Sequence, residues 1–174
     1  MTTPLEPKPV RDSHVELARV MTQHDANALG NVHGGIIMHE VDTAAGMAGA
    51  RHANQVAVTA SIDELSFLAP VHIGDVLILK ASVNDVGRTS LEIGVRVEAE
   101  RWDGRERRHT TSAYLVMVAL DEHGRPVEIP PVLAETEQEQ RRQAQARIRR
   151  QVRMERIARL GAWTPETTTP DDSS

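Results

Sequence analysis

The chain has 174 residues, close to one domain, since domains usually run about 100–200 residues. At that length roughly 70% of the unfolded surface is buried on folding, enough for a core without disulfides or metals. With 20 Lys and Arg against 25 Asp and Glu, a formal charge of −5, no cysteine, and Phe67, Trp102, Tyr114 and Trp163 as the whole aromatic complement, several classes drop out. A basic nucleic-acid binder, an aromatic stacking platform for single strands, a disulfide scaffold, a cysteine nucleophile and a thiolate zinc site are all disfavoured. No apolar stretch approaches the ~20 residues of a membrane span, and Met1–Arg11 is polar and proline-rich rather than a signal peptide. The expectation is a soluble, cytoplasmic, single globular domain.

Residues 1–12 hold three prolines between Thr2 and Pro9 and are expected to be disordered. His14–Met21 alternates weakly and suits a first strand. A Gly/Asn-rich turn follows over Asp25–Gly35. From Ile36 to about His52 the apolar residues Ile37, Val41, Ala44, Ala45 and Ala48 are spaced for a helix. Its second half is dominated by small residues, which favours close approach of a sheet.

The period then changes to two. Val56, Val58, Ala60 and Ile62 alternate before the phase shifts to Leu65 and Phe67, which predicts a bulge near Asp63–Glu64. Val76–Val83 is a strand, Asp85–Arg88 a turn, and Leu91–Ala99 alternates most cleanly of all. Trp102-Asp103-Gly104 predicts a hairpin, and Thr110–Leu120, apolar on both faces, a central strand. These four strands are expected in hairpin-like succession. Residues 132–160 carry eight arginines between Arg141 and Arg159 and sparse apolar positions, as in a long, mostly solvated helix. Residues 161–174 complete the chain as an expected disordered tail. One helix ahead of a run of antiparallel strands is an α+β pattern, with the folded domain spanning residues 13–131.

Two features carry chemistry. Gly34 and Gly35 open the helix, where free backbone N–H groups at the positive helix end can polarise a carbonyl and hold an oxyanion. A turn with an N-cap explains the same residues. Asp42 lies about two turns into a helix whose neighbours look buried, and a buried carboxylate is costly unless paired or used. A hydrogen bond to nearby backbone or an interface is the alternative reading. His33 and His39 are six apart, not the three or four that brings ligands together on a helix, so no metal site is expected.

Several ordered elements then line up: Asp25-Ala26-Asn27 with Gly30, Asn31 with His33-Gly34-Gly35, the helix Asp42, the run Ser61–Asp75 (SIDELSFLAPVHIGD), and Gly87-Arg88-Thr89-Ser90 before a strand. Over roughly Asp25–Leu120 this series resembles the hotdog-fold acyl-CoA thioesterases, the cytosolic acyl-CoA hydrolase group in particular. The resemblance implies an antiparallel sheet wrapped around one central helix, plus an outer C-terminal helix. It implies Asn31 and Asp42 as catalytic residues contributed by opposite protomers of a homodimer, and commonly a trimer of dimers. His33, Gly34 and Gly35 would hold the thioester carbonyl, and Gly87, Arg88, Thr89 and Ser90 would lie along the CoA moiety. The substrate would be acyl-CoA, the products free CoA and a carboxylic acid, and no metal or organic cofactor would be needed. The arginines of the last helix would either be solvated or meet CoA phosphates. A non-catalytic acyl-CoA-binding sensor or scaffold is the alternative; it would need an output module, for which residues 1–13 are too short. An acyl-CoA hydratase on the same fold would need an Asp/His motif that is not found.

Overall fold

The computed structural model describes residues 5–161. The described chain begins with a short strand β1 (Lys8–Pro9) and a 3-10 turn (Val10–Ser13), then β2 (Val15–Val20) and the helix α1 (Gly34–Ala53). β3 (Val56–Phe67), β4 (Val76–Val86), β5 (Ser90–Glu100) and β6 (Arg107–Leu120) follow. A two-residue β7 (Val132–Leu133) and the helix α2 (Glu137–Leu160) complete it. The five long strands form one antiparallel sheet in the order β2-β4-β5-β6-β3.

The strand order corrects one expectation. β4, β5 and β6 do succeed one another as hairpins, but β3 does not pair with β4; it crosses to the far edge beside β6. The long connection Leu68–Asp75, with Pro70 and Gly74 (φ +92°) in it, is what frees β4 from hairpin geometry.

α1 lies across the concave face of this sheet and touches all five strands. Its Val41, Ala44, Ala45 and Ala48 are fully buried against Leu79, Ile93, Val97, Leu115 and Ala119. Small side chains allow the close approach. At Gly49 a Cβ would sit 3.0 Å from that of Ala57, tighter than neighbouring carbons tolerate. The alternation read over Leu91–Ala99 places Leu91, Ile93, Val95, Val97 and Ala99 in the core. The helix ends where Asn54 takes the left-handed conformation (φ +53°).

The phase shift in β3 is present as two irregularities, which skip Ala60 and Asp63 in the pairing with β6. The second turns Asp63 toward α2, where Arg153 meets its carboxylate. β3 is an edge strand and carries Val56, Val58, Ile62 and Phe67 exposed.

The N-terminal expectation needs correction over the described part of residues 1–12. Lys8 and Pro9 pair in parallel with Val132 and Leu133. Val10 and Ser13 are buried, and Ser13 accepts the backbone N–H of Val83. Lys8 Nζ donates to the carbonyls of Arg51 (2.7 Å) and His52 (2.9 Å) and to Asn54 Oδ1 (3.1 Å). A cation on the orphan carbonyls at a helix C-terminus is favourable, and this fastens the segment despite its prolines. At the other end, residues 132–160 are not one helix. Val132 and Leu133 belong to the β1 pairing, and α2 starts at Glu137, capped reciprocally by Thr136 and Glu139. The expected tail beyond Gly161 lies outside the described residues.

His52, on the last turn of α1, is fully buried, with Nε2 2.9 Å from the Pro130 carbonyl and Nδ1 without a partner. Burial holds its pKa below the usual imidazole value, against a smaller opposing pull from the Pro130 carbonyl; Lys8 lowers it further and Asp12 raises it. The unfolded chain therefore binds a proton that the folded chain refuses once pH falls below about 6.5. Stability from this site is present above that value and is lost on acidification, by up to about 1.4 kcal/mol per pH unit. Melting temperatures of wild type should fall more steeply between about pH 7 and about pH 5.5 than those of His52→Gln; parallel slopes would contradict it.

Candidate functional site

The loop between β2 and α1 is built on Asp25. Its carboxylate, nearly fully buried, accepts the backbone N–H (2.7 Å) and hydroxyl (2.9 Å) of Thr22 and an Arg19 guanidinium N–H (2.5 Å). The Thr22 backbone bond does most to hold this carboxyl below its usual pKa, with burial opposing and Arg19 adding to it. Arg19 also reaches Glu40 on α1 at 2.6 Å, so one guanidinium ties the loop to the helix. The Asp25 carbonyl in turn accepts the His33 N–H at 2.8 Å. Neither Arg19 nor the carboxylate of Asp25 had been singled out by sequence reasoning. Asp25 opens the motif quoted above, but only the fold shows what its side chain holds.

Within this frame Asn27 and Asn31 face each other across a tight turn. Asn27 N–H donates to the Asn31 carbonyl (2.7 Å), and Asn27 Oδ1 accepts from the N–H groups of Leu29 (2.8 Å) and Asn31 (3.2 Å). The amide NH₂ of Asn27 has no partner among the described residues. Asn31 Oδ1 lies 2.9 Å from His72 Nδ1, a partner brought in from the β3–β4 connection.

His33 is the N-cap of α1: its Nδ1 accepts the Gly35 N–H at 2.9 Å. The two glycines therefore differ. The N–H of Gly35 is occupied by the cap, whereas that of Gly34 has no partner among the described residues. The cap reading holds for Gly35, and Gly34 is left as the donor that the carbonyl-polarising reading needs. A donor at the positive helix end without a partner is what an oxyanion requires.

Asp42 departs from expectation. It is exposed in the single protomer, as is His39. The buried stripe Val41-Ala44-Ala45-Ala48 puts Asp42 on the flank of α1 beside β3, and the sheet ends there, so it stays exposed among the described residues. Its Oδ1 accepts the hydroxyl of Thr59 on β3 at 2.5 Å, a residue that sequence reasoning also missed. No hydrogen bond joins Asp42 to Asn27, Asn31 or His33 among the described residues.

Gly87-Arg88-Thr89-Ser90 forms the β4–β5 turn. It is closed by the Gly87 N–H on the Ser90 carbonyl (2.7 Å) and tied to its surroundings through the carbonyls of Arg88 and Thr89. Pairing places Ser90 opposite Val118, and Val118 opposite Val58, one residue from Thr59. The turn thus lies about two strand spacings, ~10 Å, from the edge position that holds Asp42. Among the described residues no three His, Asp or Glu side chains converge as metal ligands would.

A single helix gripped on one face by a five-stranded sheet, with a free N–H at its start and a carboxylate on its flank, defines a hotdog unit of the thioesterase class, and residues 29–101 match the thioesterase superfamily. The chain is 38% identical over 115 residues to the uncharacterized acyl-CoA thioester hydrolase YkhA of Bacillus subtilis, covering 66% of this chain and 67% of that one. It belongs to the hotdog acyl-CoA thioesterase family. It is 33% identical over 149 residues to mouse acyl-coenzyme A thioesterase 11, covering 85% of this chain but only 25% of the relative's length. Among solved structures it is similar to an apo-hexameric acyl-CoA thioesterase, with TM-score 0.85, 38% identity, and 88% and 99% of the two chains covered. It is also similar to the acyl-CoA hydrolase of Staphylococcus aureus in complex with butyryl-CoA and CoA, with TM-score 0.82, 29% identity, and 88% and 93% covered. That hydrolase has also been solved with an aspartate, an asparagine or a threonine replaced by alanine.

Proposed function

We propose that this chain hydrolyses acyl-CoA to free CoA and a carboxylic acid, at sites completed by pairing of two protomers. The observation that carries this is Asp42, held by Thr59 at the open edge of the sheet and separated from the carbonyl-binding loop of its own chain. An edge strand with unpaired backbone groups and exposed Val56, Val58 and Ile62 is a surface that a second copy covers well. Its pairing brings a partner's loop toward Asp42. A dimer of this kind, and a trimer of dimers built from it, agrees with the hexameric state of a similar thioesterase. A cytosolic setting agrees with the name of the similar rat hydrolase.

The chemistry follows from the groups present. The Gly34 N–H and an asparagine NH₂ polarise the thioester carbonyl and hold the charge that develops on its oxygen. Asp42 either takes the proton of an attacking water and returns it to the departing sulfur, or attacks the carbonyl itself to give an anhydride that water then cleaves, the thiolate taking a proton from solvent; in both the carbon–sulfur bond breaks to release the thiol and the acid. These groups suffice without a metal or organic cofactor.

Which asparagine touches the carbonyl is testable. Asn31 is the residue that the family resemblance suggested. Asn27, Asp42 and Thr59, however, stand fifteen and seventeen residues apart, the same intervals as the asparagine, aspartate and threonine replaced in the S. aureus hydrolase. Both asparagines have the side-chain oxygen engaged, Asn27 by the Leu29 and Asn31 N–H groups and Asn31 by His72, and neither NH₂ has a partner among the described residues. The intervals favour Asn27 at the carbonyl and Asn31 as the residue that sets the loop. Thiol release from a panel of acyl-CoAs tests the activity. Asn27→Ala should lower kcat by about 10²-fold, the scale of one lost oxyanion donor, and Asn31→Ala by about tenfold or less. The reverse order would return the role to Asn31.

A further inference from the structure

Four α2 arginines between Arg147 and Arg153 lie over the sheet, and three of them are neutralised. Arg147 faces Asp85 at 3.5 Å. Arg149 donates to Glu92 at 2.7 Å and stacks on Tyr114, 3.7 Å from the ring centroid. Arg153 is paired with Asp63. Between these anchors stands Arg150, which has no carboxylate partner among the described residues. Its guanidinium instead lies over the β4–β5 turn. A Cβ built on Gly87 would be 2.7 Å from Nη1 and 2.8 Å from Nη2, and the φ of Gly87 is not one that requires glycine. The missing side chain at residue 87 is the space the guanidinium occupies. Arg88, next in the turn, is also exposed and unpaired among the described residues.

Two guanidinia without an ion pair among the described residues therefore share one turn, and the helix that carries Arg150 is anchored by ion pairs on either side of it, which engage Asp85 and Glu92, the acidic residues lining the same small recess. A guanidinium that lies over a turn and lacks a protein anion is a site for an external one, and its planar fork suits phosphate. The turn lies about 10 Å from the strand position that holds Asp42, within reach of a phosphate joined to the reacting thioester through a pantetheine arm. We propose that Arg150 of α2 is a specificity-determining residue that binds a phosphate of the CoA moiety beside Arg88. The outer helix then selects CoA thioesters over thioesters lacking the nucleotide. This rests on the acyl-CoA reading above.

The test compares three thioesters of one acyl group: acyl-CoA, acyl-3′-dephospho-CoA and acyl-pantetheine. Arg150→Gln should raise KM for acyl-CoA about tenfold, the size of one lost charge-assisted bond, with kcat within about twofold. KM for acyl-pantetheine should not change, and Arg150→Lys should restore part of the acyl-CoA loss. Gly87→Ala, which displaces the guanidinium, should act in the same direction. If KM for dephospho-CoA also rises, the contact is to the diphosphate; if only that for acyl-CoA rises, it is to the 3′-phosphate. An unchanged KM for acyl-CoA in folded Arg150→Gln overturns the proposal, and so does an equal rise with acyl-pantetheine. A wild-type chain that cleaves none of the three overturns the thioesterase reading instead.

Discussion

Asp42→Asn is expected to lower acyl-CoA hydrolysis by at least about 10²-fold while leaving the fold intact, because an amide can neither take a proton from water nor attack the carbonyl as a carboxylate does. The geometry makes loss of stability a poor competing explanation. Asp42 is exposed on the flank of α1 in the protomer, and its one hydrogen bond among the described residues is to the hydroxyl of Thr59, which an asparagine oxygen also accepts. The substitution removes a charge from the surface without opening a cavity, and such changes usually stay within about 0.5 kcal/mol. Melting curves and steady-state kinetics on the same preparation separate the two effects. Turnover near wild type with purified Asp42→Asn would remove Asp42 from the mechanism.

Mixing Asn27→Ala with Asp42→Asn should recover about a quarter of wild-type activity from two nearly inactive proteins. The expectation follows from the proposed shared site, since no hydrogen bond among the described residues joins the loop of Asn27 to Asp42. If each site takes its loop from one protomer and Asp42 from the other, a heterodimer of the two variants has one doubly damaged site and one undamaged site. Random exchange places about half of the dimers in that state, with half of their sites whole. Were both groups to serve a site within one chain, every site would keep a lesion and mixing would restore nothing. Two distinguishable tags establish that exchange has occurred. Confirmed heterodimers without recovered activity would refute the shared site while leaving hydrolysis by some other arrangement open to the substrate panel.

Much of this molecule is legible in its sequence because the signals are local. The 3.6-residue spacing of Ile37, Val41, Ala44, Ala45 and Ala48 specifies a helix with one buried stripe, and the alternation of Leu91–Ala99 specifies a half-buried strand. The phase shift in β3 announces its bulges, and the Asn31–Gly35 run announces a helix start that can bind an oxyanion. What the sequence does not carry is set by long-range partners. Burial of Asp42 was expected from its helix neighbours, yet exposure depends on which flank meets the sheet edge, and that is decided by β3 crossing to lie beside β6. Proline content pointed to disorder before residue 13, but Lys8 finds the open carbonyls at the end of α1, more than forty residues away in sequence. The hydroxyl of Thr59 and the carboxylates that fix α2 are likewise unremarkable in sequence, since an alternating strand offers no sign of what will stand opposite each side chain. Periodicity and motif order thus determined the elements and the family of this chain. Only the tertiary structure decided which side chains meet, because those meetings depend on strand order and register, to which local spacing is blind.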